Sequence, residues 1–214
     1  MELLVVVAIM SLLSVAAVPA FTTIQQGNRM GNATTVVATL VEQARAYAMA
    51  KNTYVFVGFA ETDVSQPVTQ AQSGGIGRVA AQVFVSADGT ESLDASNVQP
   101  VGKMALFDHL NLPSSLPAAG AMTRPTADYV VGDGGFPLAS STIQSGRFSF
   151  SKVIEFDPQG VAHLPSAPRS AGAIQYLEVD LQPVQGNAAP AAETKDHAAV
   201  QIDGLTGVVS IYRP

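Results

Sequence analysis

From Leu3 to Phe21 the chain carries no charged residue, yet a carboxylate, Glu2, stands directly in front of the run. At 1.5 Å per residue a helix over 3–21 is about 28 Å long, close to the ~30 Å hydrocarbon core of a bilayer. The length predicts a membrane helix. A cleavable signal peptide is the competing reading, because Val18-Pro19-Ala20 places small residues near a potential cut. Such a peptide wants a basic leader segment and an apolar core of about 7–15 residues. This run is longer and is headed by an acid. A buried core helix is the third reading, and the uniformity of an apolar run at the N-terminus argues against it.

The acid constrains the run further. A carboxylate costs about 2.5–3.5 kcal/mol at the bilayer centre and less near the end of a span. The first base is Arg29, so no cation in the first 28 residues can pair with Glu2 within the chain. A partner from another subunit is therefore expected. Arg29 lies on the C-terminal side, which by the positive-inside rule puts the rest of the chain in the cytoplasm. Lys or Arg upstream of Met1 would reverse that orientation.

The remainder reads as a β-rich domain. The chain has 214 residues, 13% charged, with a net charge of −6 and no Cys. Disulfides, thiol nucleophiles and Cys-ligated metals are excluded. The acidic balance argues against nucleic acid, which needs Lys and Arg on one face. Residues 19–31 contain Pro19, Gly27 and Gly31 and are expected to bend or melt, since each Gly weakens a helix by about 1 kcal/mol. From 33 to 52 the sequence is periodic. Val37, Leu40, Val41, Ala44 and Ala48 make one apolar stripe expected to pack on a sheet, while Glu42 and Arg45 can pair at i,i+3. Beyond Thr53 short β-rich runs are expected as strands near 54–59, 78–86, 104–107, 129–131, 147–156, 174–181, 199–202 and 208–212. Asp157-Pro158-Gln159-Gly160 has the chemistry of a turn, and Asp203-Gly204-Leu205-Thr206-Gly207 that of a hairpin.

Glu2-Leu3-Leu4-Val5-Val6-Val7-Ala8-Ile9, with Pro19 seventeen residues after the Glu, resembles the N-terminal segment of type IV pilins and type II secretion pseudopilins. The run Gln43-Ala44-Arg45-Ala46-Tyr47-Ala48 leading into a strand, then Ile154–Gly160 and Ile202–Val209, is most similar to the H-type minor pseudopilins and FimT-like minor pilins. The resemblance implies a short basic leader ending in Gly upstream of Met1, prepilin peptidase as a processing partner, and a methylated N-terminus. It also implies assembly through Glu2, which would pair with the N-terminal amine of a neighbouring subunit, and through Pro19.

Other motifs point more weakly to chemistry. Gly75-Ile76-Gly77-Arg78-Val79-Ala80 fits a GxGxxA pattern, but a polar stretch precedes it and a strand-like run follows. His109, His163 and His197 share no ligand spacing. Asp88, Glu91 and Asp94 are weak calcium candidates in a Gly-containing loop without the EF-hand pattern. Asn32-Ala33-Thr34 matches a glycosylation sequon but also suits a helix N-cap, the preferred reading.

The expectation is an α+β fold: a long N-terminal helix, transmembrane and then amphipathic, packed on a β-rich head of β-sandwich type. Residues 1–21 would form the membrane and filament-core helix, with Leu3, Leu4, Val5, Val6, Val7, Ile9, Leu12, Leu13 and Phe21 facing lipid or like helices. Residues 22–52 would continue it, and 53–214 would form the head. The expected function is that of a non-enzymatic subunit of a filament anchored in the bacterial inner membrane, partnered by other pilin or pseudopilin subunits and needing no cofactor. Its single pass would leave the head in the periplasm or on an extracellular filament. An exported, membrane-anchored β-domain binding a ligand or DNA is the alternative.

Overall fold

The computed structural model describes residues 2–114, 123–165, 173–190 and 196–214; the side chains of 2–4, 8, 15–24 and 26 lie outside that description. Helix α1 runs over Glu2–Lys51. Eleven strands follow: β1 Val55–Asp63, β2 Gly77–Ser86, β3 Val98–Asn111, β4 Tyr129–Val130, β5 Ile143–Ser145, β6 Phe148–Phe150, β7 Lys152–Phe156, β8 Ala162–His163, β9 Tyr176–Pro183, β10 Ala198–Asp203 and β11 Val209–Tyr212.

Nine strands form one sheet in the order β11-β10-β9-β3-β2-β1-β7-β8, with β4 alongside β9. Neighbours along this path are antiparallel, and only β4 runs parallel to β9. β5 and β6 form a separate hairpin. The joint between the two halves of the sheet is narrow, resting on the pairs Leu110–Pro183 and Asn111–Gln182.

The expected long transmembrane-plus-amphipathic helix packed on the head is overturned. The fold is mainly β-sheet, and the helical part that packs on it lies within about Gly27–Lys51. Among the described residues no helix is long and apolar enough to cross a membrane. The packed part follows the apolar stripe: Met30 to Ala48 are buried at three- and four-residue steps, whereas the described apolar side chains from Val5 to Leu13 are exposed.

Met30, Ala33, Val37, Val41, Ala44 and Ala48 are fully buried. They share one core with Val55, Val57 and Phe59 of β1, Val79, Ala81 and Val83 of β2, and the inward residues of β7, β9 and β10. The steps of three and four keep them on one helical face, and the alanines let the helix backbone lie close to the sheet. Leu40 packs at the margin of this core. Two expectations within the helix fail. Residues 19–31 are helical throughout, and Asn32 lies inside α1 rather than at its start.

Asn52 closes the helix. Its φ of 51° turns the chain back, and the Thr53 amide donates to Ala48 O at 3.2 Å, the bond that ends a helix in a Schellman motif. Three residues later β1 begins. It is buried on both faces: Val55, Val57 and Phe59 meet α1, while Phe56 and Ala60 meet Phe148 and Phe150 of the β5–β6 hairpin. That double burial explains why β1 reads as a continuous apolar run rather than an alternating one. Gly58 stands where Phe84 and Phe150 meet edge to face at 5.3 Å.

Candidate functional site

The described side chains of the first half of α1 are apolar and exposed. Val5, Val6, Val7, Ile9, Met10, Leu12 and Leu13 are each between 50% and 74% accessible. They spread over more than half of the helix circumference rather than one narrow stripe, because the sequence there has no charged face. Ser11 and Ser14 do not provide one: each hydroxyl donates back to a carbonyl four residues earlier, Val7 and Met10, at 2.8 Å. An exposed apolar surface of this extent is uncommon on folded proteins and needs an explanation. Glu2, Leu3, Leu4, Pro19 and Phe21 lie outside the described side chains, so their surroundings are not part of this picture.

The acidic loop is closed on itself. Asp88 Oδ1 accepts from Ser86 Oγ, Thr90 N and Thr90 Oγ1 at 2.7–3.0 Å, and the Thr90 donors hold its carboxyl below the usual range. Asp94 Oδ2 accepts from Ser92 Oγ at 2.9 Å. Among the described residues no group of three or more His, Asp or Glu converges on a metal position. Asp88, Glu91 and Asp94 are thus spread along a turn whose hydroxyls already engage Asp88 and Asp94.

The histidines stay apart. His109 lies at a register shift between β2 and β3, with φ of 64°. His163 Nε2 sits 3.1 Å from Asp157 Oδ2, and His197 immediately precedes β10. The GxGxxA segment is not a nucleotide loop. Gly77 opens β2 with φ of 104°, and a strand follows where a phosphate-binding helix would have to start.

Three polar clusters were not foreseen from sequence. Arg124 makes a bidentate pair with Glu178, Nε and Nη2 each 2.8 Å from a carboxylate oxygen, and Gln201 Nε2 donates to the same carboxylate at 3.0 Å. Glu178 and Gln201 are both buried on the sheet face turned away from α1. Arg78, itself buried, bridges Asp108 at 2.6 Å and donates to the carbonyls of Val64 and Gln66. Glu61 is pushed up to about 7 by burial, against the opposing effects of the Leu112 amide and the Lys152 charge. Burial in turn lowers Lys152. None leaves a local sequence signal, since the partners are 30–54 residues apart in the two ion pairs.

Arg45 does not pair with Glu42. Among the described residues the ion pairs are Arg78–Asp108, Arg124–Glu178 and His163–Asp157. Arg45 instead lies across the Gly160 and Gly207 turns, next to both glycines. The two turn motifs read from sequence therefore meet on the same helical residue. Both turns have the expected hydrogen bonds: Gly160 N to Asp157 O at 2.9 Å, and Gly207 N to Asp203 O at 2.7 Å.

Comparison with family models, curated proteins and solved structures gave no match to this chain.

Proposed function

We propose that the protein is a structural subunit of a type IV pilin-like or type II secretion pseudopilin-like filament, acting through its helix rather than by catalysis. The observation that carries this reading is the division of α1. One half is packed on the sheet through Met30–Ala48, and the other presents exposed apolar side chains over more than half of its circumference from Val5 to Leu13. Burying one such side chain contributes about 1.5–3 kcal/mol, so seven of them on a free helix favour association strongly. Copies of the same helix supply a matching surface: broadly apolar and of equal length. Glu2 gives such a bundle its register, because an unpaired charge buried among apolar helices costs several kcal/mol. The reading places the head in the periplasm or on an extracellular filament, where fractionation would find it.

The absence of cysteine makes the test clean. Single-cysteine variants Val6→Cys and Leu13→Cys, oxidised in cells, are expected to give disulfide-linked dimers. Ser210→Cys on the head is expected to give none. Equal cross-linking at all three positions, or none at the helix positions in cells that make the protein, would remove the helix-bundle reading.

A further inference from the structure

Strand β3 has an open edge. Along one side it pairs with β2 from Val98 to Leu110. Along the other, among the described residues, β9 reaches only Leu110 and Asn111, and the Val184 amide donates to His109 O at 2.9 Å. The outer edge from Val98 to Asp108 therefore has no strand beside it among the described residues. Natural sheets guard such edges, because their unpaired amides and carbonyls accept any passing strand. The first part of this edge is guarded. Pro100 lacks an amide hydrogen, Gly102 bends the chain with φ of 73°, and Lys103 is exposed. Met104-Ala105-Leu106-Phe107 carries none of these devices, and Leu106 is 41% accessible.

A groove of about 330 Å³ adjoins the unguarded part. It is lined by Arg29 and Asn32 of α1 and by consecutive residues of β3, Leu106 to Leu110. Successive side chains of a strand point to opposite faces of its sheet. A run of neighbours lines one groove only where that groove follows the edge of the strand. The helix is its second wall, and the space between them suits one added strand. Register sets what such a strand would meet. Leu106 stands opposite Ala80, which belongs to the core layer beneath the β5–β6 hairpin. Phe107 stands opposite Val79, in the layer that meets α1. Alternate side chains of an added strand would therefore fall beside Leu106 on one face and beside Arg29 on the other.

Charge decides the occupant. Arg29 is exposed and has no ion pair among the described residues. Asp108 is the one acid in the lining, and the buried Arg78 balances it through Nε at 2.6 Å. Asn32 and His109 bring no negative charge. A chain of net charge −6 thus keeps an unbalanced cation at this groove. We propose that the Met104–Asp108 edge of β3 binds an extended acidic segment of a partner protein, added as a strand between β3 and α1. Its backbone completes the open edge, an apolar side chain covers Leu106, and the neighbouring carboxylate meets Arg29. The inference goes beyond the filament reading and does not depend on it.

Calorimetry on the full chain, held in a zwitterionic detergent, tests it with the capped peptide Val-Glu-Val-Glu-Val and its counterpart Val-Lys-Val-Lys-Val. The acidic peptide is expected to bind and the basic one to bind at least about tenfold more weakly. Arg29→Gln, at an exposed helical position, is expected to weaken the acidic peptide about three- to tenfold and to narrow the gap between the two. N-methylation of the peptide tests strand addition without altering the protein. Methyl groups on one alternate set of amides should abolish binding, and on the other set should be tolerated, because a strand turns only every second amide to its neighbour. No heat from the acidic peptide at about 1 mM would overturn the proposal. So would equal binding of the two peptides, or indifference to both methylation patterns. Disulfide-linked pairs of a Leu106→Cys variant that the acidic peptide does not prevent would also overturn it, by giving the edge to a second copy of the chain.

Discussion

The side chain of Arg45 lies against Gly207, so closely that a methyl group added to the glycine would sit 2.7 Å from Arg45 Cδ and 2.8 Å from its Nε. The same methyl would also collide with the carbonyl oxygen of Gly160. Helix α1, the β7–β8 turn and the β10–β11 turn thus close on one point, at the opposite end of the packed helix from Met30.

Gly207→Ala is expected to cost more stability than Gly160→Ala. Both glycines have positive φ, 66° and 82°, so each substitution carries about 1 kcal/mol or more of backbone strain. At Gly160 the new methyl meets Met49 and Arg45, whose flexible side chains can move. At Gly207 it also meets a backbone oxygen, which cannot move without reshaping the turn. Thermal melts of the two variants should fall in that order.

Gly58→Ala is expected to destabilise by about 1–3 kcal/mol, the usual cost of overpacking a filled core. Its φ is ordinary, so the whole effect is steric. The added Cβ would lie 2.9 Å from Phe150 Cβ and 3.0 Å from the Phe84 ring. Combining Gly58→Ala with Phe150→Leu should recover part of the loss. Purely additive denaturant midpoints would show that the ring contact is not its source.

Glu61 links stability to pH. Its carboxyl is raised from 4.5 to about 7 by burial, so the folded state binds a proton more tightly than the unfolded chain. The associated stability is fully present below about pH 4.5 and is lost as pH rises through about 7. The loss should be of order a few kcal/mol. Glu61→Gln keeps the shape without the titration. Its stability should change less than the parent's between those limits and exceed the parent's at pH 8, as urea unfolding at several pH values would reveal.

Arg124→Ala is expected to cost about 3–5 kcal/mol, because it leaves the buried Glu178 carboxylate without its cation. Adding Glu178→Gln to that variant should restore much of the stability by removing the stranded charge. A double variant as unstable as Arg124→Ala alone would place the cost in lost packing of the 123–128 segment instead.

Glu2→Ala is expected to leave the head folded, with an unchanged melting curve, while filament assembly stops. Incorporation at the normal level, measured by co-sedimentation with assembled filaments, would remove Glu2 from the assembly mechanism.

Much of the local structure was legible in the chain. The stripe Val37, Val41, Ala44, Ala48 has helical spacing because one face must be apolar to be buried, and all four are buried against the sheet. The switch to strand at Thr53, and the turns at Asp157–Gly160 and Asp203–Gly207, follow from backbone chemistry that acts over a few residues. Strands with weak local signals escaped. β3 extends over Val98–Asn111 where only Met104–Phe107 stood out, because most of its outward residues are exposed and polar. β8 has two residues and exists only through its pairing with β7.

Side-chain partnerships lay further out of reach. Arg45 was within reach of Glu42 by helical spacing, yet the tertiary fold sets it against two glycine turns more than a hundred residues further along the chain. Arg124 meets Glu178, and Glu61 lies deep enough to hold its proton near neutrality, for reasons no spacing rule contains. Periodicity and turn chemistry are nearest-neighbour properties, so the order of residues was enough to settle which face of α1 is greasy and where the chain turns. How much of α1 the sheet covers and which acids are desolvated depend on distances between segments remote in sequence. Only the packed structure sets those distances.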